Sequence, residues 1–505
     1  MPDEIVDREQ NELDHSKQLD VHTWSKHPEV DAFIDPIYAD VFEGRKAHIR
    51  KKHLKVLLLD LYVTWTEDPT LMISVSRNVN DYKARTRYNE LHISRLTIDV
   101  VDALIDAGLI EQAIGYLDRE RKVGRLSRIW PTEKLAEMFA NVRFSPLDIG
   151  CNENRLTVIL RGEDPKGEKT EKDKEYEPTP ETERMEEVLR AYNELLRQSF
   201  IDVPTLEEAR FPREAEGADQ RLIVSQRDKF VRRVFNRDSF ECGGRFYGGW
   251  WQRCPKLFRE MIFIDDNPTS EIDFSGLHIV LLYAEKGICY WEAVGGDPYG
   301  IAPLDFAPNA DEFRQLAKHL MLILINSSTK EAAYGAFRNQ MPAGDPKKRL
   351  TNDQLAQVTE ALAALHPSIA DQFGADAGIR LQNTDSKITE IIVKTFLETS
   401  VPVLCIHDSY IVPFGYEDHL IDTMHKAFAT VTGVHLGNPE AQSVKELSDR
   451  VEDLEAALSG WMPYPGLDYQ TVNEEAYMKR AMPKRTLRHQ REMKQFKEWK
   501  EKQGI

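Results

Sequence analysis

A charged segment without a single aliphatic side chain divides this chain of 505 residues in two. Residues 162–184 read GEDPKGEKTEKDKEYEPTPETER, and three of them are prolines. A segment of this composition cannot bury enough apolar surface to offset the entropy lost on ordering. We therefore predict a charged linker at 161–184 with a domain on each side, since a chain of this length exceeds what one core usually supports.

The composition of the whole chain is that of a globular protein, with 41% hydrophobic and 30% charged residues. No apolar run reaches the roughly 18 to 20 residues that span a bilayer, and the first residues are acidic and polar. We expect a cytoplasmic protein without a membrane partner. The five cysteines form no CxxC pair, so we expect reduced thiols rather than a zinc site or a disulfide framework.

The net charge of −18 is unevenly distributed. Acidic residues are concentrated in the linker and near the start, where we assign 1–33 to an acidic N-terminal tail. The last 27 residues hold ten Lys or Arg against three Glu, and we assign 471–505 to a basic C-terminal helix or tail. This end is either a solvated helix or a segment that contacts phosphates. Just before it, heptad-like leucines predict a short helix at 444–458.

The region 34–160 contains a predicted helix followed by two strand-like runs. Ser94 is a good N-cap for an amphipathic helix that Ala107 and Gly108 end, and two strand-like runs follow at 109–117 and 126–130. A helix followed by a two-stranded ribbon with a basic tip resembles a winged-helix domain, and the charged turn would be its wing, with Arg119, Arg121, Lys122 and Arg125. The resemblance implies DNA binding, and Arg121 and Lys122 are its candidate contacts. Winged helices also dock proteins, and a helix and hairpin packed on a neighbour without any ligand would show the same pattern.

Two aspartates lie at the ends of strand-like runs in the region 185–470. Asp273, in EIDFSGLHIVLLYA, ends a strand before a helix, and Asp408, in CIHDSYIVP, lies in a turn between two apolar strands. A carboxylate in such a setting is costly unless something neutralises it. Divalent cations shared by both aspartates would do so. Mg²⁺ prefers few carboxylates together with substrate phosphates, which suits an incoming nucleoside triphosphate.

Three further segments carry cations and aromatic rings. Arg314 and Lys318 are four residues apart in FRQLAKHLMLILI, so one helix face would present both to a triphosphate, or simply to solvent. Arg245 and Tyr247 in CGGRFYGGWW offer a cation and a stacking face for nucleic acid, although the segment also suits a packed loop. The stretch SQRDKFVRRVFNR before it predicts a basic helix that follows backbone phosphates.

Over residues 225–413 these segments resemble, in order, the motifs of the superfamily of family-A DNA polymerases and single-subunit RNA polymerases. DFSGLH is similar to motif A, the arginine and lysine to the fingers helix, IRLQNTDSKITEIIVKTF to the helix leading into motif C, and HDSY to motif C itself. The resemblance implies an α+β right-hand polymerase with palm, fingers and thumb-like helices over 185–470. It also implies template-directed nucleotidyl transfer that uses two Mg²⁺ ions, nucleoside triphosphates, and a DNA template with a primer or nascent strand.

The resemblance assigns roles residue by residue. The metal ligands would be Asp273, Asp408 and the carbonyl of Phe274, with Lys318 as a further catalytic group that protonates pyrophosphate, a role that His407 could also take. The nucleotide would contact Arg314, Lys318, His278 and Asn326, and the nucleic acid would contact Arg245, Tyr247, Gln382 and His407.

The chain departs from the family where the sugar is read. The fingers helix of the family carries Tyr-Gly eight residues after its lysine, but this chain has Asn326 and Ser327 there and a Tyr-Gly only at Tyr334. A bulky His278 five residues after Asp273 favours deoxynucleotides, whereas HDS and GRFY resemble the RNA enzymes. We slightly favour a DNA polymerase, as a replication protein of a phage, plasmid or integrated element. The rival functions are a non-catalytic DNA-binding replication protein with a relic polymerase fold and a metal-dependent phosphodiesterase.

Overall fold

The computed structural model describes residues 13–42, 47–118, 123–162, 173–212, 222–307, 309–437, 467–469 and 484–505. Most of the acidic N-terminal residues, the wing tip with Arg121 and Lys122, the centre of the charged linker and the helix expected at 444–458 lie outside these ranges. The described chain combines helices with antiparallel and mixed sheets, so the expected α+β class is confirmed.

Over its described residues, the first domain packs four helices on a four-stranded sheet. Its elements are β1 (Ser16–Gln18), β2 (Thr23–Trp24), α1 (Pro28–Val41), α2 (Ala47–Glu67), β3 (Met72–Val75), α3 (Leu96–Asp106), β4 (Ile110–Ala113), β5 (Tyr116–Asp118), β6 (Val123–Arg125), β7 (Ser127–Pro131), α4 (Glu133–Ala140) and β8 (Gly150–Cys151). The sheet order is β1-β3-β7-β4, with β1 parallel to β3 and the other pairs antiparallel.

This domain begins before residue 34, the boundary expected from the sequence. Pro28 starts α1 at a position where a missing N–H costs nothing. Val30, Ile34 and Ile37 then form a buried stripe at helical spacing that joins the core of the domain. Residues 28–33 are therefore helical and belong to the domain rather than to an acidic tail.

The helix and ribbon expected after Ser94 are present. The Ser94 hydroxyl accepts from the N–H of Leu96 at 3.3 Å, and Gly108, with a φ of +66°, reverses the chain after α3. β4 pairs with β7, and β5 pairs with β6. The two pairs follow each other along the chain and together form one long antiparallel ribbon. Its described part exposes large apolar side chains at Ile114, Leu117 and Val123.

The linker is shorter than the expected 161–184. β9 (Val158–Leu160) pairs in parallel with a strand of the second region, and Val158 is fully buried in the core of that region. Helix α5 (Pro180–Arg197) begins inside the predicted linker because the Thr179 hydroxyl caps the N–H of Thr182 at 3.2 Å. Before that helix, the carbonyl of Lys174 accepts from the Tyr88 hydroxyl at 2.7 Å, which ties this part of the linker to the first domain.

The second region contains two sheets. Its strands are β10 (Ile201–Asp202), β11 (Val231–Asn236), β12 (Ser239–Gly248), β13 (Phe263–Ile264), β14 (Asn267–Phe274), β15 (Leu404–Ile406), β16 (Ser409–Pro413) and β17 (Leu467–Tyr469). The central sheet has the order β10-β13-β14-β16-β15, with β17 also paired to β14, and all of its pairs are antiparallel. The second sheet has the order β12-β11-β9.

Helices surround these sheets. After α5 they are α6 (Lys256–Arg259), α7 (Leu277–Ala284), α8 (Tyr290–Ala293), α9 (Ala310–Ile325), α10 (Lys330–Gln340), α11 (Asn352–Leu365), α12 (Gly378–Glu398), α13 (Glu417–Thr432) and α14 (Leu487–Gln503). Short 3₁₀ turns occur at Val79–Asp81, Pro146–Asp148, Trp250–Arg253, Pro346–Arg349 and Ala370–Gln372. α7 is buried on nearly all sides, and α12 leads directly into β15.

The basic helix expected at SQRDKFVRRVFNR is wrong, because residues 231–236 of this stretch form strand β11. Arg233 is buried there and donates to the Gly244 carbonyl, the Ser386 hydroxyl and the Glu390 carboxylate. Lys229 is also buried, and this burial lowers its pKa to about 7. Its ammonium donates to the carbonyl of Ser199 at 2.6 Å. These two cations are buried and bonded to groups within the protein, so they do not face phosphates.

The basic C-terminal segment forms a docked helix over its described part. Met493, Phe496 and Trp499 of α14 pack against Phe200. The imidazole of His489 meets the Asp202 carboxylate at 2.6 Å, where that carboxylate also accepts from the Arg488 guanidinium. The helix is therefore amphipathic, with one face fastened to β10 and the other exposed.

Within the described ranges no helix is long and apolar enough to cross a membrane. The five cysteines are free thiols, of which Cys254 and Cys405 are buried and the others are partly exposed. No disulfide is therefore formed.

Candidate active site

The two aspartates selected from the sequence lie at the same end of the central sheet. β14 and β16 are antiparallel neighbours, and Asp273 is paired in register with Ser409. The N–H of Phe274 donates to the carbonyl oxygen of Asp408 at 3.2 Å. Both aspartates are half-buried. The fold thus makes neighbours of two aspartates that are distant in the sequence.

The turn that carries Asp408 has a strained backbone. His407 has a φ of +58°, in the left-handed region that costs a side chain about 1 kcal/mol or more. Its imidazole is edge-on to the Tyr247 ring, with 5.8 Å between the ring centroids. The hairpin between β15 and β16 thereby holds His407 and Asp408 at its tip, beside β12.

Ser409 fastens this hairpin to β14. Its hydroxyl donates to Oε1 of Glu271 at 2.6 Å, and Arg259 donates to the same oxygen at 3.0 Å. Glu271 and Asp273 are two residues apart on one strand and therefore lie on one face of the sheet. The serine after Asp408 thus has a structural role in fixing the hairpin that carries Asp408 to the strand that carries Asp273.

Arg245 is bound by a carboxylate that sequence reasoning did not select. Its Nε donates to Oδ2 of Asp385 at 2.6 Å. Burial opposes the charged form of Arg245, but Asp385 and Asp408 outweigh it and raise the pKa of the guanidinium. Arg245 is therefore held by Asp385 and attracted by Asp408, and part of its hydrogen-bonding capacity is already used within the protein.

Asp385 is fully buried on α12. Burial raises its pKa to about 6 against the attraction of Arg245, and the charge of Asp408 adds to the rise. A signal in the sequence could have found it, because Leu381, Ile388 and Ile392 form the buried stripe of α12 and Asp385 occupies a position within that stripe. An acidic residue on the apolar face of a helix implies a buried partner.

His278 is a neutral imidazole held by Arg245. Burial, followed by the positive charge of Arg245, lowers its pKa to about 4. The guanidinium of Arg245 lies 3.2 Å from Nε2 and can only donate, so Nε2 is the acceptor and Nδ1 carries the proton. No hydrogen-bond partner for Nδ1 exists among the described residues. His278 thus holds an unused donor five residues after Asp273.

Arg314 and Lys318 lie on one face of α9 and share an aromatic platform. Arg314 forms a double hydrogen bond with Asp297, at 2.5 and 2.9 Å. The Tyr299 ring centroid is 5.8 Å from the Arg314 guanidinium carbon and 5.7 Å from Nζ of Lys318. Both cations are therefore within the range of cation–π attraction to one ring.

Tyr299 lies close to these cations and to the turn that follows Asp273. It is buried, and burial together with the charges of Asp408, Asp297 and Asp273 raises the pKa of its hydroxyl. A Cβ added at Gly276, which has a φ of +60°, would lie 2.9 Å from Pro298 and 3.8 Å from the Tyr299 hydroxyl. The loop with Tyr299 therefore packs against the turn that follows Asp273. Sequence reasoning missed this residue, and no local pattern marks it.

Two predicted nucleotide and nucleic-acid contacts lie at the margin of this cluster. Asn326 ends α9, eight residues beyond Lys318 and so about 12 Å along the helix axis. Its side chain donates to the Leu322 carbonyl at 2.7 Å and packs so closely on Gly378 that a Cβ there would overlap it. Gln382 is half-buried on α12, one turn before Asp385.

The displaced Tyr-Gly pair does not reach the cluster. Tyr334 is buried in α10, where its hydroxyl lies 3.2 Å from that of Thr359 on α11. This tyrosine therefore has a packing role. Tyr299 is the aromatic residue that lies against the cations of α9.

The donor set suits magnesium bound together with a substrate. In the described part of the chain, no group of three or more His, Cys, Asp and Glu side chains is arranged to hold a metal ion. Asp273 and Asp408 provide two carboxylates, and Mg²⁺ is commonly bound by one or two carboxylates plus substrate phosphates. The residues present therefore fit magnesium that arrives with a nucleotide.

No protein-family model matches this chain. A search of curated proteins also finds no match.

Proposed function

We propose that this chain is a template-directed nucleotidyltransferase related to family-A DNA polymerases and single-subunit RNA polymerases. One observation carries the proposal: the end of β14 that bears Asp273 is hydrogen-bonded to the turn that bears Asp408, and Tyr299, close to the paired cations of α9, packs beside the turn that follows Asp273. In this reading the central sheet is the palm and helices α9 to α11 are the fingers. The order of these elements along the chain supports it.

Asp273 and Asp408, with the carbonyl oxygen of Phe274, would hold a pair of Mg²⁺ ions. When bound, such a pair lowers the pKa of the attacking 3′-hydroxyl and neutralises charge on the triphosphate. The hydroxyl oxygen forms a bond to the α-phosphorus while the bond to pyrophosphate breaks. The carboxylates would thus bind the ions, and the substrates themselves would provide the attacking hydroxyl and the leaving pyrophosphate.

The cations of α9 bind the leaving group. Lys318 is exposed and pairs with no carboxylate among the described residues, so its ammonium is available to a phosphate. Arg314 is oriented by Asp297 and by the Tyr299 ring. We assign to Arg314 a hold on the phosphates and to Lys318 the proton transferred to pyrophosphate as it leaves.

The sugar and the nucleic acid would meet the other side of the cluster. His278 stands after the turn that follows Asp273, and its ring is fixed by Arg245. A ring in this place excludes a 2′-hydroxyl, so we favour deoxynucleotides. The exposed His407 and its neighbour Tyr247 would contact the primer end or nascent strand of a DNA duplex.

Extension of a labelled primer on a DNA template tests the proposal. The purified protein should add nucleotides only with Mg²⁺, and Asp273→Ala and Asp408→Ala should abolish the addition. Asp353→Ala, an exposed carboxylate on α11, is the matched control and should retain activity. Shortening of the primer without any nucleotide-dependent lengthening would instead indicate a phosphodiesterase. DNA binding without either reaction would indicate a non-catalytic replication protein.

A further inference from the structure

A polar cleft of about 540 Å³ separates the first domain from the β11–β12 hairpin. Lys17 and Asp60 line it from the first domain, and Arg232 and Gly248 line it from the hairpin. Phe230 contributes a ring beside the entry to β11. The cleft is distinct from the aspartate cluster and is not used in the mechanism above.

Most charges in the cleft are already neutralised in pairs. Three ion pairs are present, Lys17 with Asp60 at 2.9 Å, Arg155 with Asp20 at 3.9 Å and Arg253 with Asp228 at 2.7 Å. The remaining acid, Glu67, accepts a hydrogen bond from the Ser225 hydroxyl. The remaining cations are Arg227, which donates to the Ile149 carbonyl at 3.0 Å, and Arg232.

Arg232, like Arg227, is a cation of the cleft that forms no ion pair with a carboxylate among the described residues. Its side chain is half-buried. Burial first, and then the charges of Arg155 and Arg161, lower the pKa of its guanidinium against the weaker attraction of Asp173 and Asp20. Cations gathered in this way repel one another unless an anion enters between them.

Arg155 also lines the cleft, and its guanidinium is positioned by the ring of Phe230. Its guanidinium carbon lies 4.1 Å from the centroid of the Phe230 ring, so the guanidinium stacks on that ring. Its long pair with Asp20, at 3.9 Å, leaves donors for another acceptor. A phosphate between Arg155 and Arg232 would satisfy both guanidinium groups.

Tyr247 lies between Arg232 of the cleft and the hairpin that carries Asp408. Arg232 is paired in register with Tyr247, and residues directly opposite on antiparallel strands have their side chains on the same face. Tyr247 in turn contacts His407, the neighbour of Asp408. A nucleic-acid strand that extends from the aspartates past Tyr247 would therefore bring its next backbone phosphates to Arg232.

We propose that Arg155 and Arg232 form a clamp for the backbone phosphates of a nucleic-acid strand that runs between the first domain and the active site. Whether the bound strand is a template or a primer rests on the proposed function. The binding of a strand by the two arginines does not depend on any nucleotidyl-transfer activity. The shared ligand chemistry is a phosphate anion, and the experiment separates a strand from free phosphate or a nucleotide.

Fluorescence anisotropy of a labelled single-stranded DNA 20-mer, measured over a series of salt concentrations, tests the clamp in the full chain. Arg232→Gln and Arg155→Gln should each weaken binding about 5- to 10-fold at low salt and reduce the slope of log Kd against log salt by about one. Arg232→Lys should retain most of the affinity because it retains the charge. Arg190→Gln, an exposed arginine on α5, is the matched control and should bind as the wild type does.

Unchanged affinity and slope in Arg232→Gln would overturn the clamp. Displacement of the 20-mer by inorganic phosphate or a nucleoside triphosphate at equal phosphate concentration would also overturn it, in favour of a small-anion site. If Arg232→Gln does not fold, Arg155→Gln and the competition experiment decide. Absent primer extension by the wild type, together with intact arginine-dependent binding of the 20-mer, rejects the enzyme but not the clamp.

Discussion

The guanidinium of Arg245 and the carboxylate of Asp385 are joined by a hydrogen bond of 2.6 Å beneath the hairpin that carries Asp408. Because Arg245 also reaches His278, this bond fixes the orientation of the residue that follows the first aspartate strand. The arrangement is a second layer of charge behind the two aspartates. Its consequences can be measured without assuming any activity.

The stability of the protein should depend on pH through Asp385. Its pKa is about 6 in the folded chain against 3.8 as the ordinary value, so the folded state binds more protons than the unfolded state between these pH values. This contribution to stability is complete below about pH 4 and is lost as pH rises through 6. The loss is on the order of 3 kcal/mol. Urea unfolding of the wild type and Asp385→Asn should show their difference changing in that window, and a constant difference from pH 4 to 7 would contradict it.

Two substitutions of Tyr299 should distinguish the contribution of its ring to activity from that of its hydroxyl. Tyr299→Phe keeps the face on which Arg314 and Lys318 rest, so we expect a change in kcat/KM for nucleotide addition within about threefold. Tyr299→Ala removes it, and two cation–π contacts of roughly 1 kcal/mol each predict a loss of about 30-fold. Equal effects of both substitutions would show that the ring does not position the cations.

His278→Ala should weaken discrimination between sugars. The imidazole is fixed by Arg245, and its removal opens space five residues after Asp273, where a 2′-hydroxyl could then be accommodated. We expect the ratio of ribonucleotide to deoxynucleotide incorporation to rise by at least about tenfold, which corresponds to about 1.4 kcal/mol. Parallel single-nucleotide additions measure this ratio. If it is unchanged while overall activity falls, His278 has only a structural role.

Trp499→Ala should loosen the C-terminal helix from the second region. Trp499 is 5% exposed and packs with Phe496 and Phe200. Removing a buried aromatic ring costs roughly 3 to 5 kcal/mol. Limited proteolysis should therefore cut α14 at least tenfold faster than in the wild type. Lys497→Ala, on the exposed face of the same helix, should not change the rate.

The parts of the fold that follow local patterns could be predicted from the sequence. The strand, turn and helix around Asp273 and the hairpin around Asp408 follow from apolar runs bounded by turn residues. Their meeting required the family resemblance, since no local rule pairs β14 with β16. In the structure the two strands pair in a defined register, with Asp273 opposite Ser409.

The residues that could not be predicted depend on partners far away in the chain. Arg233 was expected to face phosphates, but its acceptors come from β12 and α12, so it is buried inside the sheet packing. Tyr299 lies in a loop that only the folded chain brings under α9. Charge and aromaticity in the sequence identify candidate residues, whereas burial and partners decide which of them can meet a ligand.

The most direct test of the central claim is the rate of single-nucleotide addition by the wild type, Asp273→Ala, Asp408→Ala and the double variant, measured with saturating Mg²⁺. Residues that hold the same ions act as a unit, so each single variant should lose at least about a thousandfold and the double variant should lose no more. Activity within about tenfold of the wild type in either single variant, or losses that multiply in the double variant, would contradict a shared site at Asp273 and Asp408.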